Sequence, residues 1–436
     1  MLQIGCSTRS LLPDFPVYLH GYSSRNYRTD KVEDPVELGC LALDNGSKQV
    51  LLFTVDIIGI NYDVCALLYE DLAEATGISY PDIYICGSHT HFAPAANVIG
   101  VVIPGGEMAL GVYPRDEKFL ALLRQQFVTA AKEALAALRP VRADYTAIPL
   151  PGIAFNRRTC KKSDGLIETN YIYPPNPEDF TFNSWDELFS VWRFSDEKGI
   201  VAILGRFGCH PVTGGSLGSE YISGDYPWHF RHSVQELFGC PAFFMLGAAG
   251  DVVPMQRQGE SRRDIGEIMA RSIRMNARCF RPVPEFTLET AKLAIPVTIK
   301  NVLDRKEFAQ EYEEMRQQAM LQPKLSEEFS AATSKMLSLQ RYPSDNLTMP
   351  LQFLQLGNHT LVGLPFECLT MIGERLRAAC PRTILTSITG GYQGYLPLEE
   401  QFAFGGYEVT GNHFMPNTGD LYLSAAVARL KELGWD

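Results

Sequence analysis

The chain lacks an excess of positive charge: 39 Lys and Arg stand against 50 Asp and Glu, for a net charge of −11. Non-specific nucleic-acid binding needs a basic footprint, so that class is excluded. The Lys and Arg residues are scattered without a long run, which removes an anionic membrane surface as a partner. No apolar stretch approaches the length of a bilayer-spanning helix, so no transmembrane segment is expected. The start, Met1-Leu2-Gln3-Ile4-Gly5-Cys6, has neither a basic leader nor a long apolar core, and predicts no signal peptide. None of the ten cysteines forms a C-x-x-C pair, and several lie in apolar runs where a free thiol acts as a small hydrophobe. That usage fits a reducing compartment better than a disulfide scaffold and predicts a cytoplasmic protein. No internal repeat or low-complexity tract stands out.

What is present is enough apolar material for a large core: 436 residues, of which 46% are hydrophobic and 20% charged. Length alone allows two or three domains, or one large α/β domain with insertions. Residues 1–35 read as irregular. Val36 to Leu43 and Gln49 to Asp56 flank Asp44-Asn45-Gly46-Ser47, a strong hairpin signal. A helical stripe over 61–76 and a buried strand over 82–87 follow, an α/β beginning. Residues 97–115 read as a long Gly- and Pro-rich loop, 117–138 as a helix stopped by Pro140, and Val141 to Pro149 as a strand. Residues 160–185 read as loop. Leu188 to Phe194 and Ile200 to Phe207 form a second hairpin. Helices are expected over 226–238, 260–278 and 419–434, and after Glu367 to Ala379. Further strands are expected at Ala242 to Leu246, Phe286 to Ile299, Leu351 to Leu356, Thr360 to Leu364 and Ile384 to Ile388. Residues 304–341 read as a polar helical pair, a solvated excursion from the core. The fold class is α/β, with mixed β-sheets flanked by helices.

Ser88-His89-Thr90-His91 follows directly on the 82–87 strand, and ligands in open α/β sheets bind where strands end. Continued as a strand, the two imidazoles would share one side. A metal and a pair of hydrogen-bonded loop histidines both explain H-x-H. His210 after 200–207, Glu367 after 360–364 and Tyr395 after 384–388 share the same strand-end context, so four candidate ligands could converge. Each also has a plain reading: a turn for His210, a first-turn helix acid for Glu367, a packing aromatic for Tyr395, a surface charge for Arg157.

These residues lie in motifs that resemble the neutral, non-lysosomal ceramidases and their shorter bacterial relatives. The motifs are Gly21-Tyr22-Ser23-Ser24-Arg25, Asp34-Pro35, Asp56-Ile57-Ile58-Gly59, Ser88-His89-Thr90-His91, Asn156-Arg157, His210, Ser223-Gly224-Asp225, Gly250-Asp251-Val252, Leu364-Pro365-Phe366-Glu367, Tyr392-Gln393-Gly394-Tyr395 and Tyr407-Glu408. Their order spans nearly the whole chain. The resemblance implies a zinc held by His89, His210, Glu367 and Tyr395, with His91, Arg157 and Tyr407 as catalytic residues lining the site. It implies a hydrolase that cleaves an amide C–N bond with metal-activated water. It also implies one catalytic domain over 1–436, with the helical excursion at about 304–341. Two departures bear on the substrate. The family carries Ser after Gly-Asp-Val where this chain has Val253, and the extra C-terminal β domain is missing. A soluble or small N-acyl amide is therefore expected rather than ceramide. A non-catalytic metal-containing binding protein, and an esterase using the same zinc-hydroxide chemistry, remain as alternatives. An oligomer is compatible with the sequence.

Overall fold

Alternate side chains of the strand Glu37–Asp44 sort into two different cores. Leu38, Cys40 and Ala42 share one core with Leu68 and Leu72 of the helix Tyr62–Thr76 and with Phe119, Leu123 and Phe127 of the helix Glu117–Ala136. Leu41 and Leu43 face the other way and share a core with Trp192, Leu204 and Phe243. A period of two therefore covers this sheet with helices on one side and with a second sheet on the other. The computed structural model describes residues 1–22, 25, 27–96, 116–214, 218–300, 314, 317 and 346–436.

The first sheet runs in the order Ile83–Gly87, Gln49–Val55, Glu37–Asp44, Gln3–Ser10, Arg139–Pro140. The second runs Ala242–Leu246, Gly199–Phe207, Leu188–Asp196, Arg142–Pro149, Arg281–Val283. Its outer face carries the helices Asp225–Phe238 and Ser261–Met275, whose Phe230, Val234, Met269 and Ile273 share a core with Phe189, Val191 and Ile203. Trp192 is fully buried between the two sheets, and burying a side chain of that size contributes about 2–3 kcal/mol. A third sheet, Leu288–Thr298, Asn346–Leu356, His359–Gly363 and Thr383–Thr386, packs with the helices Thr370–Ala379 and Thr418–Leu433. Each of the three sheets contains one parallel pair at its edge: Gln49–Val55 with Ile83–Gly87, Gly199–Phe207 with Ala242–Leu246, and His359–Gly363 with Thr383–Thr386. The loops leaving those parallel strands carry the candidate site.

The α/β class with mixed sheets flanked by helices is the observed architecture. Within residues read as irregular, Gln3–Ser10 is a strand, paired from Gln3 opposite Asp44 to Ser10 opposite Glu37. Its polar content concealed it, and its partner lies outside any local window. The stretch read as loop over 160–185 carries part of a small sheet made by Arg158–Lys161, Ile167–Thr169 and Phe180–Thr181. The loop expected at 97–115 and, but for Glu314 and Gln317, the helical pair expected at 304–341 lie outside the described residues. Among the described residues no helix is long and apolar enough to cross a membrane.

Candidate metal centre

The first sheet ends at Gly87, and the chain then turns sharply. His89 has φ of 68°, the left-handed region that a branched or bulky residue seldom enters. His89 and His91 both lie on the loop that the strand feeds, as expected, and the same-side arrangement of a continued strand does not apply to them. Backbone bonds fix the turn, from Ser88 N to Val55 O at 2.8 Å and from His89 N to Ile57 O at 3.0 Å. The His89 Nδ1–H donates to Ile58 O at 2.6 Å, which in the neutral ring leaves Nε2 as the lone-pair nitrogen. His91 is packed against Gly21, where a Cβ would come within 2.6 Å of the His91 Cβ. The His91 carbonyl accepts from Arg25 at 2.5 Å.

His210 follows the second sheet's Gly199–Phe207 strand. Its Nδ1 faces Ala249 O at 2.5 Å and Val252 O at 3.2 Å. Carbonyls only accept, so the proton sits on Nδ1 and Nε2 is again a lone pair. Glu367 comes from the third sheet's end. Its Oε2 lies 3.2 Å from His89 Nε2 and 3.1 Å from His210 Nε2. The ligand atoms of His89, His91 and His210 all lie within 4.8 Å of one another.

This donor set fits a cation. Two lone-pair nitrogens face one carboxylate oxygen at close range, and both His91 ring nitrogens have no hydrogen-bond partner among the described residues. Burial first, and the Arg157 charge second, hold the His210 imidazole down at about 4. Burial and the two neighbouring imidazoles hold His91 well below its ordinary range. Neutral imidazoles and an ionised carboxylate are the forms that ligate zinc.

Glu367 does not open a helix. It pairs in a parallel bridge with Tyr395, its N–H donates to Gly394 O at 2.9 Å, and the helix begins only at Thr370. The pairing sets Tyr395 beside Glu367. The Tyr395 hydroxyl accepts from Arg157 Nη2 at 3.1 Å. Arg157 is buried and also donates to Glu408 at 2.7 Å and Gly250 O at 2.9 Å. Arg158 donates to the other Glu408 oxygen at 3.0 Å. The Arg157 guanidinium lies 5.7 Å from the Tyr407 ring centre and 5.5 Å from that of Tyr171. Tyr407 is 42% exposed and stands at the rim. Asp251 ties these pieces together: its carboxylate accepts from Asn156 and from the Thr370 N–H, and its carbonyl accepts from Arg157 N.

His89, His91, His210 and Glu367 thus meet directly, while Tyr395, Arg157 and Tyr407 form an adjoining cluster. Tyr392 and Glu408 are functional candidates that sequence reasoning passed over, although both lie in motifs quoted above. The Tyr392 hydroxyl donates to Glu367 Oε1 at 3.0 Å and so orients the carboxylate. Tyr392→Phe is expected to weaken zinc affinity roughly 10–100-fold, read by competition with a chromogenic chelator. Unchanged affinity would show that the hydroxyl does not hold Glu367. Asp56 pairs with Arg231, and Asp225 accepts from Thr213 and Gly214, so both support loops.

No protein-family model matches the chain, and no curated protein matches it in sequence. Solved structures do. Neutral ceramidase from Pseudomonas aeruginosa superposes with a TM-score of 0.73 at 17% identity, over 98% of this chain and 73% of that one. A ceramidase complexed with C2 superposes with the same score and identity, over 99% of this chain and 75% of that one. The fold is that of neutral ceramidase.

Within this ceramidase fold, Val253 is fully buried on the short strand Val252–Pro254, opposite Phe155. It shares a small apolar core with Phe155 and Val212, against Phe182 and Met255. A cavity of about 740 Å³ is walled by Tyr22, Phe92, Tyr171 and Val212 among others. The Tyr22 ring centre is 5.1 Å from that of His91.

Proposed function

We propose that this protein is a zinc-dependent hydrolase of an amide C–N bond, acting on a soluble or small N-acyl amide rather than on ceramide. The observation that carries the reading is the approach of Glu367 Oε2 to within 3.2 Å of two lone-pair imidazole nitrogens, with the unpartnered His91 ring alongside. His89, His210 and Glu367 would hold the ion, with Tyr395 as the further ligand. Zinc, when bound, would supply a Lewis acid for the carbonyl and lower the pKa of water to ~7. The likeness to solved ceramidases supports amide chemistry as the reaction class.

The protein's own groups divide the remaining work. The His91 ring nitrogens have no hydrogen-bond partner among the described residues and lie beside the candidate ligands, so His91 is placed to relay a proton to the departing amine. Arg157 fixes the Tyr395 hydroxyl and brings positive charge to the side where an oxyanion would develop. Tyr407, at the rim, is a second phenol donor for that charge. Val253 has no hydroxyl to offer a substrate alcohol, and its apolar neighbours suit it, which supports a substrate other than ceramide. The uncombined thiols suit a cytoplasmic setting.

The test is turnover of a panel of short N-acyl amines, ceramides in detergent and matched esters, before and after chelation. Zinc-restorable cleavage of the short amides is expected. Ceramide turned over faster than every short amide would overturn the substrate reading, and cleavage of esters alone would make the protein an esterase.

A further inference from the structure

Arg257 is the one charged side chain among the described residues that wall the 740 Å³ cavity. Its guanidinium is fixed from three directions. Nε donates to Val212 O at 3.0 Å, Nη1 to Tyr171 O at 2.7 Å, and Nη2 to the Tyr22 hydroxyl at 3.2 Å. All three partners are neutral, and among the described residues no carboxylate pairs with Arg257. The three bonds use three of the five N–H donors of a guanidinium, which leaves two for a further acceptor. In a chain with a net charge of −11, a cavity wall whose charge is an uncompensated cation is selective ground for an anion.

The position relates this charge to the histidines. Val212, which anchors Nε, lies two residues after His210 and donates its N–H to the His210 carbonyl at 3.0 Å. Tyr22, which anchors Nη2, packs against His91 on its other side. Arg257 is therefore one residue removed from the histidines on two sides, through Val212 to His210 and through Tyr22 to His91. A planar, always charged fork, already oriented by the fold, matches a carboxylate in two-point contact.

We propose that Arg257 is a specificity residue that binds a carboxylate on the substrate. The substrate class is then an N-acyl amino acid or a similar amide carrying a carboxylate, with its apolar part against Tyr22, Phe92, Tyr171 and Met255. This rests on the amide-hydrolase reading for the identity of the scissile bond, but the anion preference is measurable without it.

The probes are N-hexanoyl derivatives of glycine, 4-aminobutyrate and 6-aminohexanoate, each paired with its neutral carboxamide twin. With zinc-loaded protein, kcat/KM and, independently, calorimetric affinity are compared within each pair. At least one spacer is expected to favour the acid by roughly tenfold or more, the scale of a charge-assisted hydrogen bond. Arg257→Gln should bring the acid-to-amide ratio to about one, and Arg257→Lys should keep an intermediate ratio. A wild-type ratio near one at every spacer overturns the proposal. So does a preference that survives Arg257→Gln, because the carboxylate would then be held elsewhere, the histidine cluster included. If a variant binds neither twin through misfolding, the wild-type ratio and the Lys variant decide. Cleavage of no probe, with the acid preference in binding intact and Arg257-dependent, would sink the hydrolase reading while leaving the anion site standing.

Discussion

Replacing His210 by alanine is expected to strip the zinc from the protein and to lower kcat/KM by roughly a thousandfold or more. His210 is fully buried, and its ring orientation is fixed by two backbone carbonyls that face Nδ1. An alanine methyl offers no nitrogen in place of Nε2. Metal analysis of dialysed wild type and variant checks the first part, and the amide panel checks the second. A variant that keeps its full zinc would remove His210 from the ligand set. The same geometry sets a pH dependence. A proton competes with a metal for Nε2, so affinity falls only as pH drops through the ligand's own pKa. Because burial and Arg157 hold His210 at about 4, its share of zinc affinity should be flat from about pH 7 to 5.5 and decline near pH 4. An ordinary imidazole would already be protonated at about pH 5.5. A His210 ring that takes up its proton with a midpoint near ~6.5 in the zinc-free protein, followed by NMR, would contradict a buried, neutral His210.

The second large effect is structural. Glu408 has no exposed surface and accepts from Arg157 at 2.7 Å and from Arg158 at 3.0 Å. Glu408→Gln keeps the shape but removes the charge that two buried guanidinium groups share. Breaking a buried ion group in this way costs about 3–5 kcal/mol, because the cations left behind are uncompensated. Denaturant unfolding of the two zinc-loaded proteins measures it. Activity should fall as well, since Arg157 loses the anchor that aims it at the Tyr395 hydroxyl. A change in stability under about 0.5 kcal/mol would mean that water or another acid compensates the pair.

Much of the layering was legible because burial writes a period into the sequence. The hairpin around Asn45-Gly46 and the apolar run before Ser88 are local signals, and the strands lie where they point. The strand Gln3–Ser10 was not legible, since only its pairing with the distant strand Glu37–Asp44 makes it one. The helix expected after Glu367 begins at Thr370, and the plain alternative of a first-turn acid does not apply to Glu367, because the bridge to Tyr395 holds it extended. The H-x-H pattern pointed to the right loop, and the left-handed backbone at His89 was not legible because no glycine marks it. Tyr392 and Glu408 carry no pattern of their own. Their partners stand 25 and 251 positions away, a relation that only the fold creates.

The candidate ligands are dispersed over all three sheets, with 157 positions between His210 and Glu367 alone. No short fragment of the chain therefore carries all of the candidate ligands. Glu367 and Tyr395 both come from the last third of the chain, so the full candidate ligand set would exist only once that part has been made and docked, and an ion that needs all of it would lock in an assembly already complete.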